Sequence, residues 1–261
     1  MFSKAPRCRY GAHQLADVIC QLRFPEILAV SAGDPVEFQE AIRDDFPLFR
    51  RRQDIPAPKL TGLPGNLTIH NQQSITNFQF ASADGIWQVN LTSTFISLTC
   101  TKYTSWEDFA GHLDKPLAAF IQIYKPAHFD RVGLRYLNYF SRRSLGLDGI
   151  PFSQLIAPCY LGPLAEADVS EASSLRSTVD CELLIRGGCR AKLHSGPGFV
   201  KRGSKADQEL KFIFDMDLYL PGQLPLNLAV GALQTLHAQA DSIFRGAITE
   251  KLHTAMMPEE L

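Results

Sequence analysis

Between Gln208 and Leu220 every second residue is apolar: Leu210, Phe212, Phe214, Met216, Leu218 and Leu220. A period of two puts all six on one face of an extended strand and leaves Lys211, Asp215, Asp217 and Tyr219 on the other. The same alternation runs through Gln14 to Phe24 (Ala16, Val18, Cys20, Leu22, Phe24). It recurs from Phe129 to Phe140 (Val132, Leu134, Tyr136, Phe140) and from Ser177 to Arg186 (Val179, Cys181, Leu183, Ile185). Strands apolar on one side only belong to antiparallel sheets covered on a single face. Further strands are predicted at 66–70, 75–82, Ile86 to Leu91, Thr94 to Thr101 and Cys189 to Ser195, with Asp84-Gly85 as a hairpin turn able to supply positive φ.

Helical spacing supplies the covering layer. Asp34-Pro35-Val36-Glu37 reads as an N-cap with proline at N1, followed by a stripe of Phe38, Ala41, Ile42 and Phe46 that Pro47 stops. Arg50-Arg51-Arg52 then reads as a solvated helix end, with anion binding as the alternative, and Ile55-Pro56-Ala57-Pro58 as a link. Thr104 and Glu107 form a capping box ahead of Phe109, Leu113, Leu117, Phe120, Ile121 and Tyr124, with Pro116 expected to kink or divide that helix. One uninterrupted helix is expected from about Asn227 to Met256, with Val230, Leu233, Leu236, His237, Ala240, Ile243, Phe244, Ala247, Ile248 and Leu252 as its stripe.

The order strand, helix, antiparallel strands, helix occurs twice. The leading strands share Leu22-Arg23-Phe24 and Leu134-Arg135-Tyr136, 112 positions apart. The expected fold is therefore α+β, in two related and tightly packed halves, residues 1–126 and 127–261, with sheets backed by helices on one face. One continuous sheet without internal relationship is the alternative.

With 26 Lys+Arg against 27 Asp+Glu in 261 residues, the chain lacks the excess basic charge of a nucleic-acid coat or polybasic membrane binder. No apolar run approaches the roughly 20 residues that span a bilayer, and the first residues show no signal-peptide core, so a cytoplasmic location is expected. Cys8, Cys20, Cys100, Cys159, Cys181 and Cys189 form no CxxC pair and read as reduced thiols.

Catalytic signatures are sparse. Gly198 to Lys205 resembles a phosphate loop but carries Gly-Ser-Lys, not Gly-Lys-Ser, and leads into a strand, so a basic hairpin loop is the better reading. Asp215 and Asp217 share a strand face and are candidates for a hard cation; the polar side of an amphipathic strand is the competing reading. His237, inside a helical apolar stripe, reads as a satisfied core histidine. The most suggestive constellation is distributed: the polar strand faces would together present Arg131, Gly133, Arg135 and Tyr139, then Arg190, Lys192 and His194, with Asp180, Glu182, Asp215, Asp217 and Tyr219. Such a face, with a glycine permitting close approach, suits an extended polar ligand such as a peptide.

The segments Ala16 to Pro25, Arg43-Asp44-Asp45-Phe46-Pro47, Arg131-Val132-Gly133-Leu134-Arg135-Tyr136-Leu137-Asn138 and Leu236-His237…Phe244…Ala247-Ile248-Thr249 resemble a sporadically distributed, largely uncharacterised bacterial family of about 250-residue proteins. The R-x-G-L-R-Y-x-N strand is the most specific piece. The resemblance implies an accessory protein from variable gene clusters, some relatives of which look like peptide or partner binders in modified-peptide biosynthesis; it transfers no catalytic residue. The expectation is a non-catalytic peptide- or protein-binding protein without cofactor or bound metal, with nucleic acid and membrane disfavoured as partners. A metal-dependent hydrolase or nuclease built on Asp215 and Asp217, and a structural subunit or homo-oligomer joined through strand edges, stay open as alternatives.

Overall fold

The computed structural model describes residues 1–55, 59–61, 68–70, 74–202 and 205–260. Nine strands form one sheet: β1 Leu15–Arg23, β2 Leu48–Asp54, β3 Ile75–Ala81, β4 Trp87–Leu91, β5 Phe95–Cys100, β6 Phe129–Phe140, β7 Val179–Leu184, β8 Arg190–Gly198 and β9 Lys211–Leu224. Their order is β7-β8-β9-β6-β1-β5-β4-β3-β2, and every neighbouring pair is antiparallel. Helices α1 Val36–Ile42, α2 Trp106–Tyr124, α3 Ala229–Ala247 and α4 Glu250–Ala255 accompany the sheet. The apolar face meets this layer. Phe24 packs on Phe120 of α2, with ring centres 4.6 Å apart, and Phe212 and Phe214 meet Phe152 and Tyr160 of the 3-10 turns between β6 and β7. The fold is α+β, built on one nine-stranded antiparallel sheet.

Each half threads alike. In the first, β1 leads and the meander β2 to β5 returns to pair with it; in the second, β6 leads and β9 returns beside it. The two leading strands then pair with each other, Gln21 opposite Gly133. Those two positions are 112 apart, the separation of the Leu-Arg-aromatic triplets, so a local two-fold passes between them. Opposite Asn138 the register of β1 slips between Leu15 and Asp17, a bulge that bends the strand.

Several elements differ from expectation. Helix α3 ends at Ala247, so the helix expected over Asn227 to Met256 is broken. Ile248 is extended (φ −101°, ψ 144°) and bridges Ile156, while Thr249 caps α4 by accepting from the Leu252 amide. The β-branched pair Ile248-Thr249 and the competing hydroxyl explain the break. With the N-terminal end of that segment in a 3-10 turn, Leu226–Leu228, Val230 is solvent-exposed. Arg50, Arg51 and Arg52 do not end a helix. They lie in β2, the sheet's edge, where Phe49 reaches Phe78 and Phe80 and the arginines guard an unpaired backbone row. Asp34 is not the cap of α1, whose N-cap is Pro35; its carboxylate pairs with Arg51. Ser105, not Thr104, caps α2 by accepting from the Asp108 amide at 3.1 Å, and Thr104 donates to the Asp108 carboxylate. Pro116 is buried within α2, which continues through it as one helix. The Pro56-Ala57-Pro58 link, residues 66–67 of the strand expected at 66–70, and Gly203-Ser204 of the basic loop lie outside the described residues. All six cysteines are free thiols; burial raises Cys20 to about 12.

Thr249→Ala removes the cap of α4 together with a hydroxyl that donates to Gln154 O at 2.8 Å, and urea unfolding is expected to show a loss of about 1–2 kcal/mol.

Candidate functional site

The uncovered face of the sheet gathers the predicted constellation, because the register aligns it in rows. One row runs Glu182, Lys192, Asp217, Arg135 across β7, β8, β9 and β6; the next runs Asp180, His194, Asp215. Adjacent strands lie roughly 4.8 Å apart, so the first row alternates in charge at that interval. Arg131 grips Asp217 with two bonds of 2.6 and 2.8 Å, and Arg135 donates from Nε to Asp215 at 2.7 Å. His194 pairs with Asp180 at 2.6 Å. Tyr219 donates to Glu182, which holds that carboxyl below its usual range, and Arg190 and Lys192 stand 3.7 and 3.9 Å from the same group. Of these, Arg135, Asp180, Glu182, Lys192, His194, Asp215 and Asp217 line a shallow groove of about 470 Å³. Tyr139 shares the strand face but sits at its far end, lining a separate depression with His13 and Lys211.

Gly133 does not leave room for a ligand. Arg131 folds back over it: a Cβ at position 133 would lie 2.1 Å from Arg131 Nη1, while the guanidinium carbon stands 4.5 Å from the centre of the Tyr219 ring. The glycine therefore seats Arg131 between Tyr219 and Asp217. The metal reading of Asp215 and Asp217 meets the same ion pairs, since both carboxylates already accept from guanidinium groups. Among the described residues no three His, Cys, Asp or Glu side chains cluster as metal ligands.

Alternation along β6 sends Tyr136 and Asn138 to the opposite side, into a cavity of about 130 Å³. Its other walls come from the start of α2, from α3 and from residues 7–10, a strap held by pairing of Cys8–Tyr10 with Pro258–Glu260. Arg7 Nη2 lies 2.6 Å from His237 Nε2, and His237 Nδ1 lies 2.7 Å from the Tyr136 hydroxyl. Arginine only donates, so Nε2 accepts and the proton resides on Nδ1. That N–H donates to Tyr136, whose ring meets Tyr103 edge to face with centres 6.1 Å apart. Trp106 stacks on the imidazole, 4.6 Å between centres and 10° from parallel. Burial first, then the Arg7 charge, lowers His237 to about 4, and burial raises Tyr103 and Tyr136. Beyond the Arg7 guanidinium the chain is thus neutral, at His237 and the two tyrosines. It positions hydroxyl groups and has no ready proton to give or take near neutrality.

His237 is engaged, as its apolar surroundings suggested, but as the centre of a polar chain. Arg7, Tyr103, Trp106, Asn138 and Asp241 escaped sequence reasoning. Asn138 carried the clearest signal, being the one amide in the apolar series Val132, Leu134, Tyr136, Asn138, Phe140, and Asp241 follows His237 at helical spacing. A scan against protein-family models and a search of curated proteins each return no match.

Two measurements check this geometry. Gly133→Ala is expected to displace Arg131 and cost about 1–3 kcal/mol in urea unfolding. Adding it to Arg131→Ala should then cost markedly less, which a double-mutant cycle reads directly. For His237, a folded pKa near 4 against 6.5 unfolded means that the unfolded chain binds the extra proton between those values. Stability falls as pH drops through that window, by about 3 kcal/mol from this group at full effect. His237→Gln should flatten the pH 4–7 stability profile relative to the parent protein.

Proposed function

We propose that this is a non-catalytic accessory protein that binds a polypeptide partner on the open face of its sheet, around Arg135, Lys192, Asp217 and Glu182. The carrying observation is the alternating charged row across four adjacent strands. The groove it lines stands on the face opposite the helices, with its side chains held in place by partners. Pre-paired side chains lose little conformational freedom when a ligand exchanges one bond for another. A charge alternating every strand repels a uniform polyanion as much as it attracts one, which favours a mixed-charge chain over a nucleic-acid backbone. Arg, one of the types that dominate binding hot spots, is supplied to the groove by Arg135. The resemblance to bacterial accessory proteins supports the same reading, with modified-peptide biosynthesis as its setting. The hydrolase alternative is disfavoured because Asp215 and Asp217 are engaged by arginines.

Fluorescence anisotropy with a labelled, unstructured Glu/Lys-alternating peptide tests the proposal against all-Glu, all-Lys and single-stranded DNA probes of equal length. The alternating peptide is expected to bind at least tenfold more tightly than the uniform ones, and Arg135→Glu with Lys192→Glu to abolish that margin. Equal affinity for all probes, or none for the alternating peptide at high micromolar concentration, would overturn it.

A further inference from the structure

The cavity behind β6 contains hydrogen-bonding capacity that the protein does not use. Asn138 is fully buried. Its Nδ2 donates to Phe214 O at 3.2 Å, while its Oδ1 has no hydrogen-bond partner. An unmet buried acceptor costs about 1–3 kcal/mol, and an apolar residue of similar size would avoid that. Asp241 projects from α3 to the same cavity. It is half-buried; burial raises its carboxyl and the Arg7 charge partly offsets that, but among the described residues it makes no ion pair or hydrogen bond. Both unmet groups are acceptors, so the missing complement is a pair of donors.

The walls define the rest. Tyr10, Tyr103, Trp106 and Phe244 contribute rings, and Trp106 is fixed by its stack on His237. A volume of about 130 Å³ approaches the roughly 150 Å³ of an engineered cavity that takes up benzene, so one six-membered ring fits. The fold does not require a polar cavity at this position. The local two-fold equates Tyr136 with Phe24, and in the first half Phe24 closes on Phe120 in an apolar ring contact, whereas in the second half Tyr136 meets His237 through a hydrogen bond and lines the cavity.

We propose that this cavity binds a monocyclic aromatic ammonium compound whose ring bears a donor, as a phenol does. The ring would lie among the aromatic walls, its hydroxyl donating to Asn138 Oδ1 and its ammonium meeting the Asp241 carboxylate. A free phenolic amine and a free phenolic amino acid share this chemistry. The amino acid adds a carboxylate that Arg7, at the rim, is placed to balance. The site is on the opposite side of the sheet from the proposed polypeptide surface and stands independently of it.

Calorimetric titration of the full chain with tyramine, L-tyrosine and phenethylamine tests the assignment. Saturable binding of tyramine or L-tyrosine is expected, the tighter of the two identifying the tail, with phenethylamine at least tenfold weaker because it leaves Asn138 unmet. Asn138→Leu should weaken tyramine or L-tyrosine at least tenfold in a variant that still folds, since removing the unsatisfied acceptor offsets the loss of the Nδ2 bond to Phe214 O. Absence of saturable binding by both phenols, phenethylamine binding as tightly as tyramine, or undiminished affinity in a folded Asn138→Leu variant would each overturn the proposal. Should that variant not fold, the tyramine–phenethylamine comparison on the parent protein decides.

Discussion

The antiparallel pairing of β1 with β6 is the contact on which the remaining architecture depends. Each of these strands also pairs with the last strand of its own meander, so they alone join two four- to five-stranded units into nine. Their buried residues, Val18, Cys20 and Leu22 from one and Val132, Leu134 and Tyr136 from the other, form the middle of the apolar face. Placing the local two-fold at Gln21 and Gly133 puts a residue without a side chain at the sheet's centre. There Arg131 can fold flat across its own strand and reach Asp217 on the next.

Much of this was legible in the sequence because the sheet has only one covered face. Alternation identifies such strands and separates the charged row from the core before any register is known, and the register then aligns Glu182, Lys192, Asp217 and Arg135. The edge strand β2 was not legible. Its residues are almost all exposed, so no apolar alternation survives, and three arginines look the same on a helix end as on a guarded sheet edge. The break at Ile248 was hidden for the opposite reason: Ile248 and Leu252 continue the helical stripe, and only the bridge to Ile156, distant in sequence, reveals that the chain has straightened.

The role of Gly133 shows how a correct placement can carry the wrong explanation. A glycine on a polar strand face suggests space for a ligand, but the space belongs to Arg131. What the glycine provides is a seat that fixes a guanidinium against Tyr219 and Asp217. The face is consequently less a set of free charges than a lattice of exchangeable pairs, and its selectivity lies in which partner can replace a carboxylate or a guanidinium without leaving the other unpaired.

Strand β6 carries both faces of the argument, Arg131 and Arg135 on one side, Tyr136 and Asn138 on the other. The two-fold supplies an internal control for the second side. At the position related to Tyr136 the chain uses Phe24, in a contact with Phe120 that needs no hydrogen bonds. In the second half it uses tyrosine and histidine, which must be supplied with partners from the N-terminal strap and α2, and it leaves Asn138 Oδ1 without one. Packing alone favours the phenylalanine solution, since every polar group taken from water has to be satisfied again inside. A fold that demonstrates the cheaper solution in one half and departs from it in the other departs for a reason other than stability. Departures of that kind are where binding chemistry is expected to reside.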